Sequence, residues 1–87
     1  MAASKVSGVL HMSQAEEILT GLGGKANVLE IEPCITRLRV DVLDPNVVDQ
    51  DALSKAGAFG VVQVGGSVQV VVGPIADDLA TKINEII

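Results

Sequence analysis

Residues 35–43 alternate in polarity along the chain: Leu38, Val40 and Val42 face one way, Arg37, Arg39 and Asp41 the other. A side-chain period of two belongs to a strand with one face buried and one face wet. Such a strand needs a partner, and the chain supplies candidates. Residues 60–64 and 67–72 are rich in Val and flank Gly65-Gly66, which reads as a β-hairpin closed by a two-residue turn. Hairpin strands pair antiparallel. Their Val content predicts that both lie well inside the sheet. Residues 27–31 form a further short apolar-rich segment, which Pro33 interrupts, placing a turn beside Cys34.

Helical signals lie between these strands. Ser13-Gln14-Ala15-Glu16 fits a capping box, and Ala15, Ile18, Leu19 and Leu22 share one face, so a helix is expected over residues 14–22. Gly21, Gly23 and Gly24 end it. Asp44-Pro45-Asn46 is a turn. Asp49 caps a second helix, with Val48 and Leu53 placed as a hydrophobic staple and Gly57 just past the end. Pro74 sits near the start of a third, with Asp77 and Asp78 in its first turn, where the helix dipole favours anions. Ile75, Leu79, Ile83 and Ile86 form its expected buried stripe. The order helix, strands, helix, hairpin, helix predicts an α+β fold: a four-stranded, mainly antiparallel sheet with three helices on one face, an open-faced sandwich. Residues 1–12 show no period and are expected to be a flexible N-terminal tail; residues 13–87 form the domain.

Composition excludes several functions. The 87 residues carry a net charge of −5, so DNA, RNA and anionic lipid surfaces repel the chain. Phe59 is the one aromatic residue, too little for a base-stacking platform. The single cysteine, Cys34, permits no internal disulfide and no cysteine-based zinc site, and a lone thiol suits the reducing cytosol. No apolar run approaches the roughly 20 residues that cross a bilayer, and the N-terminus lacks a signal-peptide core. The chain reads as soluble and cytoplasmic, with no cofactor and no metal site expected.

The chemistry concentrates at Cys34. It heads the segment Ile35-Thr36-Arg37-Leu38-Arg39, in which the two arginines share the wet face of the strand. Cations beside a thiol favour thiolate over thiol. Guanidinium groups also bind phosphate oxygens through paired N–H bonds. Thr36 adds a hydroxyl, and the backbone N–H groups at 35–37 are further donors if the turn opens towards the sulfur. On these residues alone a second assignment stands beside a catalytic one. A free cysteine is often a small buried hydrophobe, and the arginines then serve a non-catalytic regulatory or anion-binding α+β module. His11 falls in the expected tail, and Gly65-Gly66 is a turn, since no helix start follows it.

The run Asn27-Val28, five residues, then Cys34-Ile35-Thr36-Arg37-Leu38-Arg39-Val40-Asp41-Val42-Leu43-Asp44 resembles the signature of the enzyme IIB domain of the bacterial phosphoenolpyruvate-dependent sugar phosphotransferase system, glucose/N-acetylglucosamine family. Leu22-Gly23-Gly24-Lys25, Val48-Asp49-Gln50, Ala56-Gly57-Ala58, Gly60-Val61-Val62, Val68-Gln69 and Gly73 extend the resemblance over residues 13–87. The resemblance implies that Cys34 accepts a phosphoryl group from the phosphohistidine of a IIA domain. It then passes the group to a sugar, glucose or N-acetylglucosamine, held by a membrane-embedded IIC domain. Arg37 and Arg39 would neutralise the phosphoryl charge, and Thr36 would support the turn or a phosphate oxygen. The implied location is cytoplasmic, at the inner face of the cell membrane, through association or fusion with IIC. Pro33 departs from the family pattern, which often has Ala or His there, and this bears on local turn shape.

Overall fold

The computed structural model describes residues 13–87, so the expected tail lies outside the described residues. Helix α1 spans Gln14–Gly21 and opens with the expected capping box: the Glu16 N–H donates to Ser13 Oγ at 3.2 Å and the Ser13 N–H to Glu16 Oε1 at 2.9 Å. Ala15, Ile18, Leu19 and, just beyond the helix, Leu22 are buried. Gly23 and Gly24 follow at φ 105° and 88°, a left-handed exit that residues with a Cβ avoid.

Strands β1 (Val28–Cys34) and β2 (Arg37–Val42) form an antiparallel hairpin with Cys34 opposite Arg37. The structure differs here from the expected boundaries. Pro33 does not break a strand; it lies within β1, opposite Leu38. The turn falls one step later, at Ile35-Thr36, so β2 begins at Arg37 rather than Ile35. The physical reason is the position of β1 at the sheet edge, where a residue without an N–H is tolerated.

After β2, Pro45–Val47 makes a 3-10 turn capped by Asp44. Helix α2 (Gln50–Lys55) is capped by Asp49, whose Oδ1 accepts from the Ala52 N–H at 3.1 Å. Leu53 is fully buried and Val48 packs against the core, as the staple predicted. Strands β3 (Gly60–Val64) and β4 (Ser67–Val71) form the second hairpin, and the sheet order is β1-β2-β4-β3. Thus β4 is inner, as expected, but β3 is an edge strand. Val62 and Val64 are 46% and 71% exposed. Val content marks a strand, while its neighbours are decided by which partner pairs with β2.

Pro74 enters a 3-10 turn, Gly73–Ile75, that leads into α3 (Ala76–Ile86). The buried stripe of α3 is Ala76, Leu79, Ala80 and Ile83. Ile75 and Ile86 are each 39% exposed, contrary to the pattern. Ile75 belongs to the 3-10 turn, whose three-residue pitch puts it out of phase, and Ile86 lies in the last turn. All three helices cover one sheet face. Leu38, Val40, Val42, Val68 and Val70 meet Ile18, Leu22, Leu53 and Ile83 there in one core. The other face is open, giving the expected α+β open-faced sandwich.

Asn27 is the one buried polar residue among those described. Its Nδ2 donates to the Leu22 and Asp44 carbonyls at 2.8 and 3.0 Å, and its Oδ1 accepts from the Asp44 N–H at 2.7 Å. One side chain therefore ties the exit of α1, the entry of β1 and the exit of β2. Asn27→Ala orphans these backbone groups. It is expected to cost roughly 2–3 kcal/mol, read as a lower urea midpoint at unchanged slope.

Candidate active site

The turn that carries the site is strained and firmly tied. Ile35 has φ 60°, a left-handed conformation that a β-branched residue adopts only under constraint. The constraint comes from Thr36, whose carbonyl accepts from the Val72 N–H at 3.0 Å and the Gly73 N–H at 2.9 Å. Gly73 sits at φ 82°, and a Cβ there would lie 3.2 Å from Phe59 Cε2, so backbone and ring approach closely at this end of the sheet. Among the described residues no backbone carbonyl accepts from the Ile35 or Thr36 N–H. These two donors are free for an anion at the turn.

Cys34 closes β1 and is exposed. A purely structural cysteine belongs in the core, so its exposure gives no support to the non-catalytic alternative. Register then assigns its neighbours. Residues directly opposite one another in a sheet share a face. Cys34, Arg37, Val71 and Gly60 therefore form one row across the open face, and Glu32, Arg39, Gln69 and Val62 form the next. Arg37 is the cross-strand partner of the thiol, and Arg39 stands one row inward. The structure thus brings together Cys34, Thr36, Arg37 and Arg39, the four residues singled out from sequence.

Two further residues belong to this patch. The Arg37 Nη1 donates to Gln69 Oε1 at 2.8 Å. Arg39 Nη1 lies 3.9 Å from Glu32 Oε1, a loose ion pair with both side chains more than half exposed. A pair so solvated contributes little and separates readily when a stronger anion arrives. Period-two alternation already turned Gln69 and Glu32 outward, but no sequence signal said that β4 and β1 flank β2. Around the turn, Ile35 and Phe59 are 89% and 81% exposed, giving the site an apolar rim. Chemically, the arrangement is a reachable thiol, two guanidinium groups and free backbone donors at one end of the open sheet face, suited to a transient phosphoryl group.

Comparison with known proteins agrees. Residues 16–49 match the family described as phosphotransferase system, EIIB. The chain is 53% identical over 73 residues to the N-acetylglucosamine-specific EIIB component of the phosphotransferase system from Streptomyces coelicolor, covering 84% of this chain and 95% of that protein. Its fold is similar to the crystal structure of one domain of the IIabc component from Clostridium difficile, with a TM-score of 0.71 and 27% identity over 85% of this chain and 78% of that one. No helix among the described residues is long and apolar enough to cross a membrane. With that fold, that degree of identity and a cysteine among paired arginines, the chain belongs to the EIIB family of sugar phosphotransferase systems, phosphotransferases that carry a phosphoryl group between IIA and IIC components.

Proposed function

We propose that Cys34 is the phosphoryl-carrying residue and that the sugar served is N-acetylglucosamine. The observation that carries the site is the exposed thiol on a strained two-residue turn with Arg37 directly across the hairpin. In the first step the Cys34 thiolate attacks phosphorus on a phosphohistidine of IIA. The N–P bond breaks, the imidazole leaves neutral because its other ring nitrogen carries a proton, and an S–P bond forms. In the second step a hydroxyl of the sugar held by IIC attacks, the S–P bond breaks and the thiolate is restored, the hydroxyl proton passing to a base of the sugar site. Phosphoryl transfer asks the protein mainly for position and charge neutralisation. Arg37 and Arg39 supply the charge, the Ile35 and Thr36 N–H groups and the Thr36 hydroxyl supply neutral donors, and a thiolate is a competent nucleophile.

The sugar assignment rests on the Streptomyces relative, which is N-acetylglucosamine-specific; glucose is the competing substrate. Selection between them lies in IIC, and the unit formed by residues 13–87 works against that membrane domain at the inner face of the membrane. The test is to incubate the protein with phosphorylated IIA and map the phosphoryl group by peptide mass spectrometry under non-acidic conditions. The expected result is a single phosphorylated peptide containing Cys34. A phosphoryl group on another residue overturns the assignment. Reconstitution with the cognate IIC then decides the sugar: preferential phosphorylation of glucose removes the N-acetylglucosamine proposal.

A further inference from the structure

We propose that Phe59 is an anchor on which the IIA component seats when it delivers its phosphoryl group to Cys34. This inference rests on Cys34 as the phosphoryl carrier. Phe59 is the one aromatic residue of the chain, and it is 81% exposed. Single exposed apolar residues are ordinary on a folded protein. Phe59 differs in where it stands and in how it is held. Its N–H donates to the Val71 carbonyl at 2.7 Å, which fixes the backbone at the start of β3. A Cβ on Gly73 would lie 3.2 Å from Phe59 Cε2, so the ring rests close over a residue that leaves room for it. Gly73 in turn donates its N–H to the Thr36 carbonyl at 2.9 Å. Phe59 and Ile35 thus stand on either side of one short bridge, Thr36 to Gly73, at the end of the sheet that carries Cys34. Ile35 is 89% exposed and left-handed at φ 60°, two costs that no packing within the domain offsets. A partner that covers it does.

Scale decides whether one partner reaches both the thiol and the ring. Cys34, Arg37, Val71 and Gly60 form one row across the four strands. Three strand spacings separate its ends, about 14 Å. A standard interface covers about 800 Å² on each partner, a disc of radius about 16 Å. A protein centred on Cys34 therefore covers the start of β3, and Phe59 with it. On the β4 and β3 side of the arginines this ground is uncharged, with Val71 in the row of Cys34 and Gln69 and Val62 in the next. Aromatic and uncharged ground is what the well-buried parts of protein interfaces share.

Both components meet the thiol in turn, and geometry favours IIA as the occupant. In the first transfer both reacting groups are side chains on folded surfaces, the Cys34 sulfur and a histidine nitrogen, joined through one phosphorus. The surfaces around them must close to contact. In the second transfer the acceptor is a sugar, whose own bulk lies between the thiol and the protein that holds it. The residues around the thiol therefore come nearer to IIA than to IIC.

The test follows phosphoryl transfer from phosphorylated IIA to the protein in single turnovers, with IIA varied to separate the maximal rate from the half-saturating concentration. Phe59→Ser is expected to raise the half-saturating concentration roughly tenfold and to leave the maximal rate near wild type, since docking is lost while the thiol site is intact. Phe59→Tyr keeps the ring and is expected to stay within about twofold of wild type. Thermal melting shows that both variants keep the fold, because an exposed side chain leaves no cavity in the core. An unchanged half-saturating concentration in Phe59→Ser overturns the inference, as does a loss confined to the maximal rate. Equal losses in Phe59→Tyr and Phe59→Ser overturn the ring as the anchor. Unchanged transfer from IIA with weaker transfer from the phosphorylated protein to sugar on IIC makes IIC the occupant and overturns the inference too. Cys34→Ser protein that still takes the phosphoryl group at full level overturns the Cys34 assignment and this inference with it. Loss of the phosphoryl group in Cys34→Ser alongside wild-type behaviour of Phe59→Ser overturns the Phe59 role alone.

Discussion

Cys34→Ser is expected to abolish phosphoryl uptake from phosphorylated IIA and, with it, sugar phosphorylation by the reconstituted system. Loss of the nucleophile removes the covalent intermediate that the whole relay depends on, and the transfer rate should fall by roughly a thousandfold or more. A serine hydroxyl occupies nearly the same place, but it is not ionised near neutral pH, and its cross-strand neighbour Arg37 is a cation that takes no proton. Stability should be unaffected, because Cys34 is exposed and leaves no cavity in the core; surface replacements of this kind stay within about 0.5 kcal/mol. The measurement pairs a transfer assay with a melting curve. Retained activity in Cys34→Ser sinks the assignment, while lost activity with an unchanged melting temperature supports it.

Arg37→Ala is expected to slow phosphoryl transfer roughly a hundredfold, the usual cost of removing one preorganised charge-stabilising donor. Arg37 stands directly across the hairpin from Cys34 and has only a neutral partner, so its charge is fully available to the phosphoryl oxygens. Arg39→Ala should cost less in the uptake step, because Arg39 is one row away and shares its charge with Glu32. Arg37→Lys should fall between wild type and Arg37→Ala: the ammonium keeps the charge but cannot donate to Gln69 and to a phosphoryl oxygen through a planar fork. The ranking is read from uptake rates at saturating IIA. If Arg37→Ala and Arg37→Lys both transfer at the wild-type rate, the cross-strand guanidinium has no part in the reaction.

The register underlying both predictions was only partly legible in the chain. Leu38, Val40 and Val42 announced the buried face of β2, and with it the outward turn of Arg37 and Arg39. Ser13 and Asp49 announced two helix starts, because each supplies its own side-chain acceptor within three residues. These are local effects, settled by a few neighbouring residues. Pro33 misled because a proline normally interrupts a strand, and only the edge position of β1 makes it acceptable. The Val-rich β3 misled in the opposite way, since its composition resembles an inner strand while its place is an edge.

Asn27 shows the same division within the motif itself. Its spacing from Cys34 helped to mark the family, yet its work is at the far end of β1, where it clamps the backbone at Leu22 and Asp44. For the reactive end, the sequence by itself determined the candidates: one thiol, a threonine and two arginines spaced to share a strand face. The tertiary structure alone decided that Cys34 ends one strand rather than heading the next. It also decided that Ile35 takes a left-handed turn fastened by Val72 and Gly73, and that Gln69 and Glu32 become the partners of the arginines. The physical reason is that side-chain period is a property of one strand, whereas register and strand order depend on contacts between residues far apart in the chain.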